Sequence, residues 1–250
     1  MSTMNRNSEF EIVLVVPCYN EEKRWKSQYW RNICKIDHLR LFFVNDGSND
    51  QTSKQILNLI SNSPHKLLEL PTNEGKAEAV RLGMIEALRE NPRGVGYLDA
   101  DGAFPFDDIF AQISLFRKMS ILQNQSLAIW SSRVQLSGRN IQRNATRHYF
   151  SRVLMTLLAI QFKFKVYDTQ CGLKIFPCSS NLAKCLETRF LTHWFIDLEF
   201  ILRWRAITGQ EMPIWEEPLF GWKDVAQSKL SGMQIFIVIR DLINLSKYLK

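Results

Sequence analysis

The sequence predicts an α/β fold in which a mostly parallel sheet is flanked by helices. Short apolar runs alternate with longer helical patterns through the first hundred residues. Continuous runs of this kind are typical of strands buried on both faces of a parallel sheet. The chain has 250 residues, of which 46% are hydrophobic and 23% charged. This composition is that of a globular protein, and the length favours one large domain over a series of small modules.

The first half of the chain is predicted to alternate strands and helices. Strands are expected at residues 12–16, 41–44, 66–70 and 95–98, and helices at residues 21–35, 51–60 and 74–89. Because β-α-β units cross over with a right hand, the carboxyl ends of these strands are expected on one edge of the sheet. Ligands of doubly wound sheets bind along that edge.

The second half is less regular. Strands are expected at residues 127–131, 173–176 and 214–220, and helices at residues 150–162 and 195–207. Residues 233–249 are amphipathic. We therefore predict a single domain at residues 1–230, followed at residues 231–250 by an amphipathic C-terminal helix. This helix would pack on the domain or on a partner, which leaves a homodimer open.

The sequence predicts a cytoplasmic protein that is either free or peripheral on a membrane. The longest apolar runs, at residues 12–16, 153–160 and 235–239, are far shorter than the ~20 residues that span a bilayer. The N-terminal run is too short for a signal peptide. The five cysteines form no C-x-x-C pair, which indicates reduced thiols rather than a disulfide framework or a zinc ribbon.

A polar segment follows each of the first four predicted strands. The segments are PCYNEE at residues 17–22, NDGS at 45–48, PTNEGK at 71–76 and DADG at 99–102. Turns need Asn, Asp, Gly and Pro for backbone reasons, so any one segment can be only a turn. Four of them on one edge of a sheet indicate a binding site.

Two aspartates at the end of the fourth strand are candidate metal ligands. Asp99 and Asp101 place two carboxylates in a small volume, where their repulsion favours a bound cation. Mg²⁺ or Mn²⁺ prefers oxygen ligands and can bridge to a diphosphate. The alternative is a turn in which each aspartate accepts backbone hydrogen bonds. Asp46, likewise, is placed either to bind a base or ribose or to cap the next helix.

Two common nucleotide-binding motifs are absent. Lys76 follows Gly75, but Leu70 and Ala77 break the P-loop pattern. The G-x-G at residues 94–96 precedes a strand and lacks the third glycine of the dinucleotide fingerprint. Neither a P-loop NTPase nor a Rossmann dehydrogenase is therefore supported.

A basic segment spans residues 131–165. It contains seven cations and no acidic residue, so an anionic partner is expected. Nucleic acid is disfavoured because the segment has no RNP-type aromatic pattern and no Cys/His ligands, and its helix is too apolar. A phosphorylated substrate and an anionic membrane surface remain as candidate partners of this segment.

Five segments, taken in their order along the chain, resemble the GT-A-fold inverting glycosyltransferases of family 2. They are VPCYNEE, VNDGSND, NEGKAEAVRLGM, YLDADG and DTQCGLKIF. The likeness extends to the branch of dolichyl-phosphate glucose and mannose synthases and bacterial polyprenyl-phosphate glycosyltransferases. It implies a Rossmann-like GT-A fold and metal-dependent transfer of a hexose from a UDP- or GDP-sugar to a polyprenyl phosphate. A soluble sugar or protein hydroxyl acceptor, or a pseudo-enzyme that only binds the sugar nucleotide, are the alternatives.

The resemblance implies a role for each residue that matches a motif. The nucleotide would be bound by Pro17, Tyr19, Glu21, Asp46, Lys76 and Asp99. The metal ion would be held by Asp99 and Asp101. The groups that carry the chemistry would be Asp99, Asp101, Asp168, Arg133 and Arg147. The acceptor side would comprise Arg133, Arg147, Gln170 and Asp197.

The acceptor decides whether a base is needed. A lipid phosphate is already anionic at pH 7, whereas a hydroxyl acceptor would need a carboxylate such as Asp168 or Asp197 to take its proton. A lipid acceptor would be reached by docking of an apolar helix flanked by cations. Its apolar residues are Phe150, Val153, Leu154, Leu157, Leu158, Phe162 and Phe164. The alternative is that this helix packs on the sheet or in a dimer interface.

Overall fold

The computed structural model of the protein describes residues 11–122, 126–143, 145–223 and 232–249, without the side chains of residues 121–122, 145–150, 232–237 and 249. Its strands are β1 (Ile12–Cys18), β2 (Leu39–Asp46), β3 (Lys66–Leu70), β4 (Gly94–Leu98), β5 (Ala128–Ser132), β6 (Asn140–Gln142), β7 (Leu173–Pro177), β8 (Ile214–Pro218) and β9 (Gly221–Lys223). Its α-helices are α1 (Ser27–Ile33), α2 (Thr52–Ile60), α3 (Lys76–Leu88), α4 (Phe106–Arg117), α5 (Ala145–Phe162), α6 (Ser180–Leu186), α7 (Ile196–Thr208) and α8 (Gly232–Leu245).

The central sheet has seven strands in the order β3-β2-β1-β4-β7-β5-β8. All neighbouring strands are parallel except that β7 runs antiparallel to both β4 and β5. The predicted mostly parallel α/β sheet is confirmed, and the carboxyl ends of β1, β2, β3 and β4 lie on one edge. A small parallel ribbon of β6 and β9 lies outside the sheet.

The strand β1 shows why the apolar runs are continuous. Val13 and Val15 pack into the core on one face of the sheet, together with residues of α3, α5 and α7. Ile12, Leu14 and Val16 pack into the core on the other face, with residues of α1, α2 and α4. Because helices cover both faces of the sheet, side chains on either face of β1 are buried and the strand lacks the alternating polar positions of a half-exposed strand.

The predicted helix at residues 21–35 begins only at residue 27. The backbone N–H of Glu21 donates to Oγ1 of Thr52 at 2.8 Å, and that of Glu22 donates to Asp50 at 3.1 Å. These bonds hold the segment after β1 as a loop against the start of α2. The helices α4 and α6 and the ribbon of β6 and β9 were not predicted from the sequence.

The helix α5 is buried along one side only. Of the seven apolar residues proposed to dock on a membrane, Leu158, Phe162 and Phe164 are at most 5% exposed and belong to the core, which corrects that part of the prediction. Val153 and Leu157 point to solvent. The side chain of Phe150 lies outside the described residues.

The C-terminal helix α8 packs on the loop that precedes α7. The buried carboxylate of Asp241 accepts the backbone N–H groups of His193 and Trp194, both at 2.7 Å. The amide of Asn244 donates to the backbone oxygen of Leu191 at 2.9 Å. The predicted boundary at residues 230–231 falls outside the described residues, so the division into two parts stays a prediction. No helix in the described ranges has the length and apolarity that crossing a bilayer requires.

Candidate active site

A pocket of about 340 Å³ opens at the carboxyl edge of the parallel strands. It is formed by the segments that follow β1, β2 and β4 and by the loop before α3. Its walls are Pro17, Cys18, Tyr19, Glu21, Arg24, Asp46, Asn73, Gly75, Lys76, Asp99, Ala100 and Asp101. All six predicted nucleotide-binding residues and both predicted metal ligands are in this set.

Asp99 and Asp101 bring two carboxylates to the same pocket. Oδ1 of Asp101 accepts the backbone N–H of Ala103 at 3.0 Å, which orients its side chain. Burial raises the pKa of Asp101, and the negative charge of Asp99 raises it further. The repulsion expected between two close carboxylates is therefore present in the folded chain.

Lys76, the first residue of α3, provides the nearby positive charge. Its Nζ lies 2.5 Å from Oδ1 of Asp99 and 5.7 Å from the centroid of the Tyr97 ring. The Lys76 side chain is 46% exposed, and desolvation of the rest would lower its pKa, but the charge of Asp99, its hydrogen bond and a smaller contribution from Asp197 together raise the pKa. The ammonium therefore stays charged beside the two aspartates.

Gly172 lets the carboxylate of Asp99 lie against the backbone of a neighbouring turn. The backbone N–H of Asp99 donates to the oxygen of Gly172 at 2.9 Å. A Cβ atom at position 172 would overlap the Asp99 carboxylate. The glycine of the DTQCG segment is thus required by the position of Asp99.

Asp46 holds the loop that forms one wall of the pocket. Its Oδ1 accepts the N–H of Glu74 at 2.7 Å, and its Oδ2 accepts the N–H of Gly75 at 2.9 Å. Burial raises its pKa despite these two bonds. Asp46 was expected to bind a base or ribose, but much of its hydrogen-bonding capacity is already used to shape the loop. Only the remaining lone pairs are open to a nucleoside.

Glu21 places a buried acceptor in the pocket. Nη2 of Arg24 donates to its Oε1 at 2.6 Å. Its Oε2 is buried and accepts no hydrogen bond from any of the described residues. Burial raises the pKa of Glu21, whereas Arg24 lowers it and offsets part of that effect. A ligand with a hydroxyl or N–H group would satisfy this oxygen.

Arg133 and Asp168 form a two-pronged ion pair. Nε and Nη2 of Arg133 donate to the two oxygens of Asp168 at 2.7 and 2.8 Å, and the backbone N–H of Arg133 adds a third bond at 2.9 Å. Burial would raise the pKa of Asp168, but Arg133 outweighs burial and holds it well below its usual range. Asp168 thus orients Arg133 and is a poor proton acceptor. The guanidinium stacks 5.2 Å from the centroid of the Trp222 ring.

Asp197 and Gln170 do not line the pocket. Asp197 is 4% exposed, accepts the hydroxyl of Tyr97 and lies 3.2 Å from Nζ of Lys174. Gln170 donates its backbone N–H to Asp168 at 3.2 Å. Arg147 falls within α5, but its side chain lies outside the described residues. Arg133 is not part of the pocket wall either, but Asp168 holds it at the turn whose Gly172 contacts Asp99.

The model of the family described as "Glycosyl transferase family 2" matches residues 13–181. The chain belongs to glycosyl transferase family 2. A dolichyl-phosphate beta-glucosyltransferase of Trichomonas vaginalis is 30% identical over 245 residues, which cover 94% of this chain and 72% of the relative. The dolichyl-phosphate beta-glucosyltransferase of Homo sapiens is 28% identical over 242 residues, covering 88% of this chain and 69% of the relative.

Solved structures show the same fold as this family 2 chain. Glucosyl-3-phosphoglycerate synthase from Mycobacterium tuberculosis in complex with UDP superposes with a TM-score of 0.65 at 15% identity, over 96% of this chain and 80% of that one. A second structure of that enzyme, with Mn²⁺, UDP and glucosyl-3-phosphoglycerate, gives a TM-score of 0.62 at 14% identity, over 95% and 80% of the two chains. The predicted GT-A fold is confirmed.

Sequence reasoning missed several groups around this family 2 site. Arg24 lines the pocket but belongs to no motif that was singled out, and Asn73 lines it from the PTNEGK segment but was assigned no role. Tyr97 and Lys174 lie beneath it, and both are at most 1% exposed. One signal was available, because Lys174 interrupts the otherwise apolar strand LKIF. A charge at the centre of such a strand needs a buried partner.

Proposed function

We propose that the protein transfers glucose from UDP-glucose to a polyprenyl phosphate of the dolichyl type, with inversion at the anomeric carbon. The observation that carries the proposal is the arrangement of charge at the pocket: two carboxylates and an ammonium lie in its wall, and Asp168 holds the guanidinium of Arg133 at the turn whose Gly172 contacts Asp99. The names of the curated relatives support glucose and a dolichyl-type acceptor. The complexes of the structural neighbours support UDP.

The donor would lie along the pocket from β1 to β4. Pro17, Tyr19 and Glu21 form the nucleoside end, where Oε2 of Glu21 would accept a ribose hydroxyl. The diphosphate would lie at the Asp99 end, next to Lys76 and the N-terminus of α3. A helix N-terminus and a lysine both stabilise phosphate charge.

The residues present fit a divalent metal ion that is shared with the diphosphate. Asp99 and Asp101 offer hard oxygen ligands, and a cation would offset both the burial and the charge of Asp99 that raise the pKa of Asp101. Among the described residues no group of three or more Asp, Glu, His or Cys side chains is arranged to hold a metal ion, so the other ligands would come from the diphosphate and water. When bound, Mg²⁺ or Mn²⁺ would neutralise the leaving diphosphate.

The acceptor side favours a phosphate over a hydroxyl. The two carboxylates that could have served as a base are both engaged, Asp168 by Arg133 and Asp197 by Tyr97 and Lys174. A phosphate oxygen needs no base because it is already ionised at pH 7. It would attack the anomeric carbon while the bond to the diphosphate breaks and UDP leaves with the bonding electrons. Arg133 would hold this phosphate through Nη1 and the second proton of Nη2, because Asp168 already accepts hydrogen bonds from Nε and Nη2.

A lipid acceptor would be reached by peripheral binding to a membrane. The outward face of α5 carries Val153, Leu157 and Ile160, which are 60–71% exposed. Lys163 and Lys165 are exposed at the end of the same helix, and no acidic residue occurs at residues 131–165. An aliphatic face bordered by cations suits an anionic bilayer surface. This face is narrower than the sequence suggested, because the buried side of α5 belongs to the core.

The test is a transfer assay with paired donors and acceptors. UDP-glucose and GDP-mannose are each incubated with a short-chain dolichyl phosphate, a soluble sugar and an acceptor peptide, with Mn²⁺, Mg²⁺ or EDTA. With donors labelled in the sugar, we expect labelled glucose from UDP-glucose in the lipid fraction, together with released UDP. No transfer is expected in the presence of EDTA. Transfer to a hydroxyl acceptor alone would refute the lipid assignment. Tight binding of UDP-glucose without turnover on any acceptor would indicate a pseudo-enzyme.

A further inference from the structure

Lys174 is a fully buried ammonium at the centre of the sheet. Its neighbours on adjacent strands are Tyr97 of β4 and Trp130 of β5, and its Nζ lies 5.5 and 4.7 Å from their ring centroids. None of its surface reaches solvent. Removing an ammonium from water costs several kcal/mol unless charges and hydrogen bonds compensate.

The compensation comes from one carboxylate and one turn. Nζ of Lys174 lies 3.2 Å from Oδ2 of Asp197, whose other oxygen accepts the hydroxyl of Tyr97. The same Nζ donates to the backbone oxygens of Thr169, at 3.0 Å, and of Cys171. The ammonium therefore fastens the turn of residues 168–172 to the helix α7.

The two ends of this turn each hold one charged group of the site. At one end, Asp168 binds the guanidinium of Arg133 through two hydrogen bonds of 2.7 and 2.8 Å. At the other end, the oxygen of Gly172 accepts the backbone N–H of Asp99 at 2.9 Å. Displacement of the turn would therefore move Asp99 and Arg133 relative to each other.

We propose that Lys174, together with its counter-charge Asp197, is a positioning residue that sets the separation between Asp99 on the donor side and Arg133 on the acceptor side. The inference rests on the proposed function, in which a diphosphate binds at the first group and a phosphate at the second. Neither Lys174 nor Asp197 touches a substrate in this arrangement. They act through the turn, and misplacement of reacting groups by about 1 Å costs about 100-fold in rate.

The test is the double variant K174M/D197N, which keeps the volume and the hydrogen bond from Tyr97 but removes both charges. A single K174M variant would leave an unpaired buried carboxylate and can fail to fold. The matched control is R203M/E199Q, which removes another buried ion pair of α7, with an N···O distance of 2.8 Å, away from the pocket. Folded protein is quantified for each variant, so that rates are compared per folded molecule.

For K174M/D197N we expect kcat to fall by about 10- to 100-fold, in line with a displacement of up to about 1 Å. The affinity for UDP, measured by calorimetry without metal, should stay within about twofold of that of the unaltered protein. Addition of Mn²⁺ should increase the UDP affinity of the variant less than that of the unaltered protein, because Asp99 is displaced. The control variant R203M/E199Q should keep the kcat and the Mn²⁺ effect of the unaltered protein. Unchanged kcat and an unchanged Mn²⁺ effect in the double variant, or an equal loss in the control, would overturn the inference. Absence of transfer by the unaltered protein would instead refute the proposed function, and the calorimetric comparison would still test the role of Lys174.

Discussion

The ammonium of Lys76 lies 2.5 Å from a carboxylate oxygen of Asp99, so the start of α3 and the end of β4 are joined by opposite charges within the pocket. Asp101, the second carboxylate of the pocket, follows Asp99 by two residues. A bound diphosphate would place further negative charge here, so Lys76 would stabilise the complex more than it stabilises the free protein.

Replacing Lys76 by methionine should therefore impair catalysis more than folding. We expect kcat/KM for the sugar nucleotide to fall by about 100-fold, the usual effect of removing one group that stabilises developing charge. Steady-state kinetics and thermal unfolding measure the two effects. Lys66→Met is the matched control, because Lys66 is also about half exposed, at 49% against 46%, and is paired with a carboxylate, Glu90, outside the pocket. Equal losses in both variants would contradict a role for Lys76.

Replacing Asp101 by asparagine should remove the response to metal. Asparagine keeps an oxygen for the N–H of Ala103, so the turn should persist. With one carboxylate left, Mn²⁺ should no longer increase UDP affinity in calorimetry, and transfer should be abolished. Asp107→Asn changes an exposed aspartate in the first turn of α4 and serves as the control. Full Mn²⁺-dependent activity of Asp101→Asn would show that this residue is not a metal ligand.

Replacing Gly172 by alanine tests the close approach of Asp99 to the DTQCG turn. The added methyl group would overlap the Asp99 carboxylate, so either the carboxylate or the turn must move. We expect transfer to fall by about 100-fold, as for other displacements of about 1 Å. Gly221→Ala is the control, since a Cβ there would meet Pro105 at an ordinary 3.5 Å. Wild-type kinetics for Gly172→Ala would mean that the position of Asp99 does not limit the reaction.

The sequence predicted the pocket because its residues follow consecutive parallel strands. Pro17, Asp46 and Asp99 each lie at or just after the end of a strand, and right-handed crossovers bring such positions to one edge. The identity of these residues, with their order along the chain, was enough to predict the fold. No long-range contact had to be known, since each motif is local.

Arg133 and Asp168 were both predicted as site residues, but their pairing could not be predicted in the same way. Arg133 meets Asp168 across 35 residues, and only the antiparallel insertion of β7 between β4 and β5 brings them together. The periodicity of the sequence does not specify that a strand is reversed. For the same reason Asp197, which was expected to face the acceptor, was not recognised as the partner of Lys174 in the core.

The pair of Arg133 and Asp168 should make stability depend on pH in the acidic range. Because the pKa of Asp168 is lower in the folded chain than in the unfolded chain, its contribution is fully present above the unfolded pKa of about 3.9. It declines as the pH falls below that value and is lost as the pH passes through the lower folded pKa. Asp168→Asn leaves the guanidinium without its charged partner and should cost about 3 kcal/mol at pH 7.

Urea unfolding of both proteins between pH 7 and pH 3 measures this contribution. We expect the difference in free energy of unfolding to be constant from pH 7 to about pH 5 and to shrink below about pH 4. Asp107→Asn, at an exposed site, should show no such trend. A difference that stays the same at pH 3 would mean that Asp168 stabilises the chain through its hydrogen bonds or packing rather than its charge.

The outward face of α5 allows membrane binding to be separated from catalysis. Val153, Leu157 and Ile160 lie four and three residues apart, so they share one side of the helix and leave its buried side untouched. Changing all three to serine should weaken binding to vesicles of mixed neutral and anionic phospholipid, measured by flotation, while leaving transfer to a water-soluble short-chain polyprenyl phosphate near the wild-type rate.

Two comparisons make the vesicle experiment decisive. Leu57→Ser alters an equally exposed leucine, 53% against 60% for Leu157, on a different helix and should not change flotation. Vesicles of neutral lipid alone should bind the unaltered protein less well, because Lys163 and Lys165 border the aliphatic face. If the triple variant floats as well as the unaltered protein, α5 does not contact the membrane. If it loses only a dimer seen by light scattering, the face is a contact between copies of this chain.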